Sequence, residues 1–331
     1  MQIFKYDIAN QIEDSLNSLE MLKHKLLFFD IETDGLSHKN KIIIIGVIIH
    51  DPISQNTTLI QLFNDDYQSE KELLLEFKAI CIQHEPDYYI SFNGHSFDIP
   101  FINARFSHFH IQHQMIKSAN IDLLKVAKKN HNLLKISDFK LKTIEQFVGI
   151  SRNDTISGKD SIVLYQAYIE TKSNQIKQSI LLHNYDDILN MIPLLKITEG
   201  ISNYKPHFFY LNNVKCYLSS YDIKNDVCKI NLELIKQISL LELQCSNQYF
   251  GFSIVENKAE LNLNVIRIND SNNRKFLFLN PAGFDMLPFN ELSSIEKQSL
   301  LLQYDQEDFR PQTYPLIEKR CNQLYLELLK Y

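Results

Sequence analysis

The chain has 331 residues, 44% of them hydrophobic, with 34 Lys and Arg against 40 Asp and Glu and a formal charge of −6. That length buries a full core and fits a domain of about 200 residues with an appended unit. The acid excess argues against broad, sequence-blind coating of nucleic acid, which draws on Lys and Arg to neutralise phosphates, but it leaves room for a local basic groove beside an acidic site.

Cys81, Cys216, Cys228, Cys245 and Cys321 are scattered, odd in number and never paired as CxxC, so neither a disulfide framework nor a thiolate zinc site is expected. The first twenty residues carry acids among their apolar positions and lack a continuous apolar core, which does not fit a cleavable signal. No apolar run approaches the roughly 18 residues of a membrane helix. The expectation is a soluble, cytoplasmic protein with no membrane partner.

In chain order, 25–29, 41–49 and 57–63 read as three strands, β-branched and apolar, with the loop 33–40 between the first two. Ser69 followed by Glu72 suggests a capping box before the apolar-periodic stretch 73–82, so a helix is predicted there. Residues 87–92 form another short strand, Asn93-Gly94 a turn, and Asp98-Ile99-Pro100 the opening of a further helix. This order predicts a mixed sheet with helices against it, an α/β layered domain. Helical patterns follow at 141–149, 161–171 and about 174–196, and after Gly200 the texture changes. Residues 206–280 hold β-like segments such as 261–265 and 275–279, and 314–331 reads as an amphipathic helix. The expected organisation is a lead segment 1–20, a domain 21–200 and a smaller α+β C-terminal region 201–331.

Three places carry chemistry. In Leu26-Leu27-Phe28-Phe29-Asp30-Ile31-Glu32-Thr33 a buried-type strand ends in two acids spaced by two, which places both carboxylates on one side. Asp98 sits at a helix start just past another strand, where an acid is also an ordinary N-cap. In the long helix, Asp187 falls on the apolar stripe of Ile176, Ile180, Met191 and Leu194, with His183 one turn earlier. An unpaired carboxylate there is costly, and a bound cation offsets the cost. Asp186 lies off the stripe, so Asp187 is the better ligand candidate. Taken singly, each feature fits a plain structural role; their order and spacing together do not.

Those motifs resemble the DEDD superfamily of 3′→5′ exonucleases on an RNase H-like fold, and most closely its YprB-type branch, which is similar to the exonuclease domain of family B polymerases. The resemblance rests on Asp30-Ile31-Glu32-Thr33, on Phe92-Asn93-Gly94 through Phe97-Asp98-Ile99-Pro100, and on Asp187. Ile121-Asp122-Leu123-Leu124 and the stretch from Leu141 to Gly158 add to it, and it covers about 20–200. It implies a mixed five-stranded sheet flanked by helices, with Asp30, Glu32, Asp98 and Asp187 holding two divalent ions, Mg²⁺ or Mn²⁺. Such an all-oxygen shell suits hard cations, and two ions serve phosphodiester hydrolysis by positioning the attacking water and neutralising phosphoryl oxygens. His183 is then the candidate for handling the water's proton, although it stands four residues before Asp187, where the superfamily has Tyr; its His variant stands five before.

The implied activity is trimming of 3′ ends of single-stranded or frayed nucleic acid, DNA ahead of RNA. Thr33, Leu36, Asn93, Phe97 and Arg152 are candidate substrate contacts, with Lys140, Lys142 and Lys159 as further phosphate contacts. Asp122 is either a helix cap or a support for the site. A structure-selective endonuclease and a nucleic-acid-binding module with little turnover are the competing readings. The C-terminal region matches nothing named; it grips substrate, recruits a protein partner or braces the catalytic domain.

Overall fold

A strand covered on both faces reads as an unbroken apolar run, because neither side of its pleat meets water. The segments preceding Asp30 and following Lys41 have that texture, and in the computed structural model they lie side by side in the interior of a mixed sheet. The structure describes all residues except 10–18, 55, 135, 151–155, 157, 200–204, 237–241, 270–273, 305–306 and 330–331, and leaves the side chains at 132, 133, 158 and 159 undescribed. The chain divides into two compact units, Met1–Pro206 and His207–Tyr331.

The first unit contains β1 (Gln2–Asp7), β2 (Leu26–Thr33), β3 (Ile42–Asp51), β4 (Asn56–Phe63), β5 (Tyr88–Ser91) and β6 (Asn120–Asp122), in the sheet order β1-β4-β3-β2-β5-β6. The pairs from β1 to β2 are antiparallel; β2 with β5 and β5 with β6 are parallel. The mixed α/β sheet is thus as expected, with one strand more than five. The addition comes from the segment read as a lead: Gln2–Asp7 pairs along β4, Gln2 opposite Phe63 and Asp7 opposite Thr58. This edge strand is exposed along most of its length and shows no clean apolar alternation, so its residues carry no strand signal.

Helices α1 (Glu70–His84), α2 (Asp98–His108), α3 (Leu123–Lys129), α4 (His131–Leu134), α5 (Leu141–Phe147), α6 (Gly158–Thr171), α7 (Asn174–Leu189) and α8 (Met191–Leu194) surround this sheet. On one face Phe77 of α1 packs against Phe29, ring centroids 6.2 Å apart. On the other, Tyr165, Tyr168, Ile180 and Leu181 from α6 and α7 bury Ile44 and Phe63. Each such large side chain taken fully out of water contributes about 1.5–3 kcal/mol. The predicted capping box does not form: Ser69 precedes α1, but its hydroxyl donates to Asp66 Oδ1 at 2.6 Å and makes no cap bond. The long C-terminal helix of this unit also stops early, at Leu189, and resumes as α8. Pro193 accounts for the break, since it has no N–H for the carbonyl four residues back and its ring crowds that carbonyl.

The second unit is antiparallel: β7 (Phe208–Leu211), β8 (Val214–Lys224), β9 (Val227–Leu234), β10 (Leu243–Ser246), β11 (Phe250–Val255), β12 (Lys258–Asn269), β13 (Lys275–Leu279), β14 (Leu301–Tyr304) and β15 (Glu307–Asp308), with helices α9 (Ser294–Ser299) and α10 (Tyr314–Leu328). The turns β7–β8 and β8–β9 are made by Asn212-Asn213 and Asn225-Asp226, all four at positive φ, as tight hairpins require and Asn and Asp tolerate. Alternate residues of β9 and β12 face one core, closed by Ile317, Cys321, Leu324 and Tyr325 of α10. Among the described residues no helix is long and apolar enough to cross a membrane.

Candidate active site

Cross-strand pairing puts Asp30 opposite Gly46, and Gly46 opposite Gln61. Directly paired residues share a face, so these three stand in a row across β2, β3 and β4, beneath α7. A Cβ at position 46 would lie 2.5 Å from Oδ1 of Asn184. The missing side chain therefore makes the room in which fully buried Asn184 sits. Asn184 Nδ2 donates to Asp30 Oδ2 at 3.1 Å, and its Oδ1 accepts from Gln61 Nε2 at 2.9 Å. Gln61 Nε2 also donates to the Leu181 carbonyl at 2.8 Å. Because Gln61 presents a donor, the amide of Asn184 must turn its own NH₂ toward Asp30.

One turn of α7 carries His183 and Asp187 on the same side, and both approach Glu32 or each other. His183 Nε2 lies 3.5 Å from Glu32 Oε1 and 3.8 Å from Asp187 Oδ2. One ligand atom from each of these three residues falls within 4.8 Å of the other two. Glu32 and His183 are buried, whereas Asp187 keeps 16% of its side chain exposed. The apolar stripe makes Asp187 the buried acid of the pair and leaves Asp186 outside; in the structure Asp186 is the more buried at 5%. The helix is covered on two sides, so a single apolar stripe does not describe it. Asp187 is nevertheless the acid that shares the site with Glu32.

Asp98 opens α2 as its first helical residue, and Phe97, not Asp98, occupies the cap position. Its Oδ1 accepts from the backbone N–H of Ile31 at 3.1 Å, which ties the start of α2 to β2 between the two motif acids. The electrostatics follow from crowding. Burial first, then the charges of Asp98, Asp187 and Glu32, push the Asp30 carboxyl well above the ordinary carboxylate range, against the Asn184 hydrogen bond. Burial likewise pushes Asp98 up to about 7, with Asp122 and Glu32 adding to it and the Ile31 N–H opposing. Four carboxylates and one imidazole are thus gathered where anionic charge is costly, a donor set that fits hard or borderline divalent cations.

Asp122 is both cap and support. It accepts from Leu124 and Lys125 N–H groups at the start of α3, and from Asn93 N at 2.9 Å and His95 N at 3.1 Å, pinning the loop that leads to Asp98. Asn93 itself has φ 66, so its first task is the turn. Thr33 is buried and its hydroxyl donates to the Gly35 carbonyl at 2.8 Å. Leu36 stands 77% exposed in a loop closed by Asp34, which accepts from Lys41 N and from the Tyr67 hydroxyl. Phe97 is partly exposed, its ring 5.6 Å from that of Phe101. Lys140 is 81% exposed beside Asp138, and Lys142 reaches the Ile156 carbonyl at 3.4 Å. Arg152 lies outside the described residues, as does the side chain of Lys159. Asn184, Gln61 and Gly46 are not among the residues that the motifs single out; a lone glycine inside the β-branched run of β3 is the one local sign of a close approach.

A family model of the RNase H superfamily matches residues 27–198, which hold all of these side chains, and the chain belongs to that superfamily. Among solved structures, the chain is similar to the family B DNA polymerase from the hyperthermophilic archaeon Pyrobaculum calidifontis, at 15% identity and a TM-score of 0.42. That similarity covers 53% of this chain and 24% of the polymerase. No curated protein matches the sequence.

Proposed function

We propose that the chain is a metal-dependent 3′→5′ exonuclease of the DEDD type, YprB-like, acting on single-stranded or frayed nucleic acid. The observation that carries this reading is the gathering of Asp30, Glu32, Asp98 and Asp187 about one end of β2: ligand atoms of Glu32 and Asp187 lie within 4.8 Å of each other and of His183, Asp98 accepts from the N–H between Asp30 and Glu32, and burial with neighbouring carboxylate charge holds Asp30 and Asp98 above their ordinary range. In this reading those four residues hold the divalent ions. When bound, Mg²⁺ or Mn²⁺ supplies a more acidic water and neutralises charge on the phosphoryl oxygens.

The protein's own part is to hold and aim. Asn184 keeps one oxygen of Asp30 occupied and so fixes the direction of the other. The Ile31 N–H does the same for Asp98. Leu36, exposed at its loop, is assigned to wedging against terminal bases, and Phe97 to stacking, as apolar and aromatic side chains do along single strands. Thr33 and Asn93 are assigned to backbone contacts through the loops they shape. The second unit, His207–Tyr331, is assigned an accessory role in gripping substrate or a protein partner.

The test is incubation with 5′-labelled single-stranded DNA and RNA, and with circular single strands, in Mg²⁺ or Mn²⁺. The expected result is a ladder shrinking from the 3′ end, with circles intact. Asp30→Ala and Asp187→Ala should each lower the rate by at least about 10²–10³-fold, the usual loss when one preorganised charge-stabilising group is removed. Cut circles would make the enzyme an endonuclease, and bound but intact strands a binding module.

A further inference from the structure

We propose that His183 is itself a metal ligand, its Nε2 joining Glu32 and Asp187 in an N,O,O set for one divalent ion, and that this nitrogen turns the site toward first-row transition ions over Mg²⁺. The proposal rests on the metal-dependent reading above and names which ion it prefers.

Nε2 stands 3.5 Å from Glu32 Oε1 and 3.8 Å from Asp187 Oδ2. Donors that share an ion at bond lengths of about 2.1 Å lie about 3 Å apart in octahedral and about 3.5 Å apart in tetrahedral arrangements. The three donors, all within 4.8 Å of one another, need only a small inward shift to meet that spacing. His183 and Asp187 come from one rigid turn of α7, and Glu32 from the central strand β2. His183 is 4% exposed, so its ring has little freedom to point elsewhere. This is the i, i+4 geometry by which a helix presents two side chains to one ion.

Imidazole nitrogen binds Mg²⁺ poorly and first-row transition ions well, so one such donor in a carboxylate shell changes which ion is retained. A nitrogen bonded to an ion has no lone pair left for a water's proton. The ligand role therefore replaces the water-handling role that the family resemblance implies for a residue at this spacing.

The full-length protein, without nucleic acid, would be titrated with Mn²⁺ and with Mg²⁺ by calorimetry, and the Mn²⁺ form examined by pulsed electron paramagnetic resonance for directly bonded ¹⁴N. His183→Gln and His183→Tyr would be compared, their folding checked by thermal melts. The expected result is a ¹⁴N coupling in the native protein that both variants lose. Mn²⁺ affinity should fall at least about tenfold in both, with Mg²⁺ affinity changed much less. Mn²⁺ bound without ¹⁴N coupling, or bound as tightly by His183→Gln, would overturn the ligand role and leave the nuclease reading standing. Absence of any Mn²⁺ binding to the folded native protein would overturn both. Should neither variant fold, the native spectrum alone decides.

Discussion

Two clusters of buried acid in the first unit are handled in opposite ways. Glu70, at the start of α1, receives Arg105 Nε and Nη2 at 2.7 Å each and the Ile42 N–H at 3.0 Å, and Arg105 in turn reaches the Lys39 carbonyl at 3.4 Å. Charge and hydrogen bonds are balanced there within the protein. At the end of β2, Asp30, Glu32, Asp98 and Asp187 face one another, and the neutral amide of Asn184 and a backbone N–H are what the fold supplies to Asp30 and Asp98. The balanced cluster joins helices to the sheet; the other, unbalanced at Asp30 and Asp98, is the one proposed to take a cation. Burial of charge alone does not separate structure from function, but the sign of what surrounds it does.

Breaking the balanced cluster should produce the largest change in stability. Arg105→Ala leaves Glu70 buried without its counter-charge, at a cost of about 3–5 kcal/mol. Urea unfolding would measure it, and metal affinity of the folded fraction should be unchanged. A loss below about 1 kcal/mol, the scale of an exposed pair, would mean that Glu70 escapes to water and that the two clusters are less different than their geometry indicates.

The unbalanced cluster should respond to pH with the opposite sign from a salt-bridged acid. Asp98 titrates in the folded protein at about 7 against an ordinary value of 3.8. Between those values the native state keeps a proton that the unfolded chain has released, so stability falls as pH rises through this window and levels off above it. Asp98 and its neighbours should cost the metal-free protein about 2–4 kcal/mol at pH 8 relative to pH 4–5, taking roughly 1.4 kcal/mol per unit as the upper scale. Mn²⁺ at about 100 times its dissociation constant should restore about 2.7 kcal/mol. Chemical denaturation across pH, with and without metal and with Asp98→Asn, tests this. A flat profile identical in the variant would show that the site is already relaxed without a cation.

The acids are visible in the sequence and their supports are not, for a physical reason. Asp30 and Glu32 interrupt an apolar strand, Asp98 stands where a helix begins, and Asp187 breaks an apolar stripe, so each leaves a mark among its immediate neighbours. Asn184, Gly46 and Gln61 lie far apart in sequence and are ordinary residues within their own segments; they become a unit when β2, β3 and β4 align and α7 crosses them. The outer strand Gln2–Asp7 is hidden because a strand exposed on most of its length has no pattern to read. The α7 stripe singles out Asp187 as the buried acid, whereas Asp186 is the more deeply buried of the two.

That hidden unit yields the smallest but most selective perturbation. In Gly46→Ala the new methyl meets Asn184 Oδ1 at 2.5 Å, and Asn184 cannot simply swing away, because Gln61 and Asp30 hold both ends of its amide. Overpacking of this kind costs about 1–3 kcal/mol. The matched control is Gly149→Ala, where nothing lies within 4 Å but φ is +86, so the cost is left-handed backbone strain of about 1–2 kcal/mol. The two variants should therefore melt within a few degrees of each other, while Gly46→Ala alone binds Mn²⁺ more weakly, because displacing Asn184 frees Asp30 to rotate out of register. Equal metal affinity in both would mean that Asp30 is held by β2 alone and that the amide over Gly46 only fills space.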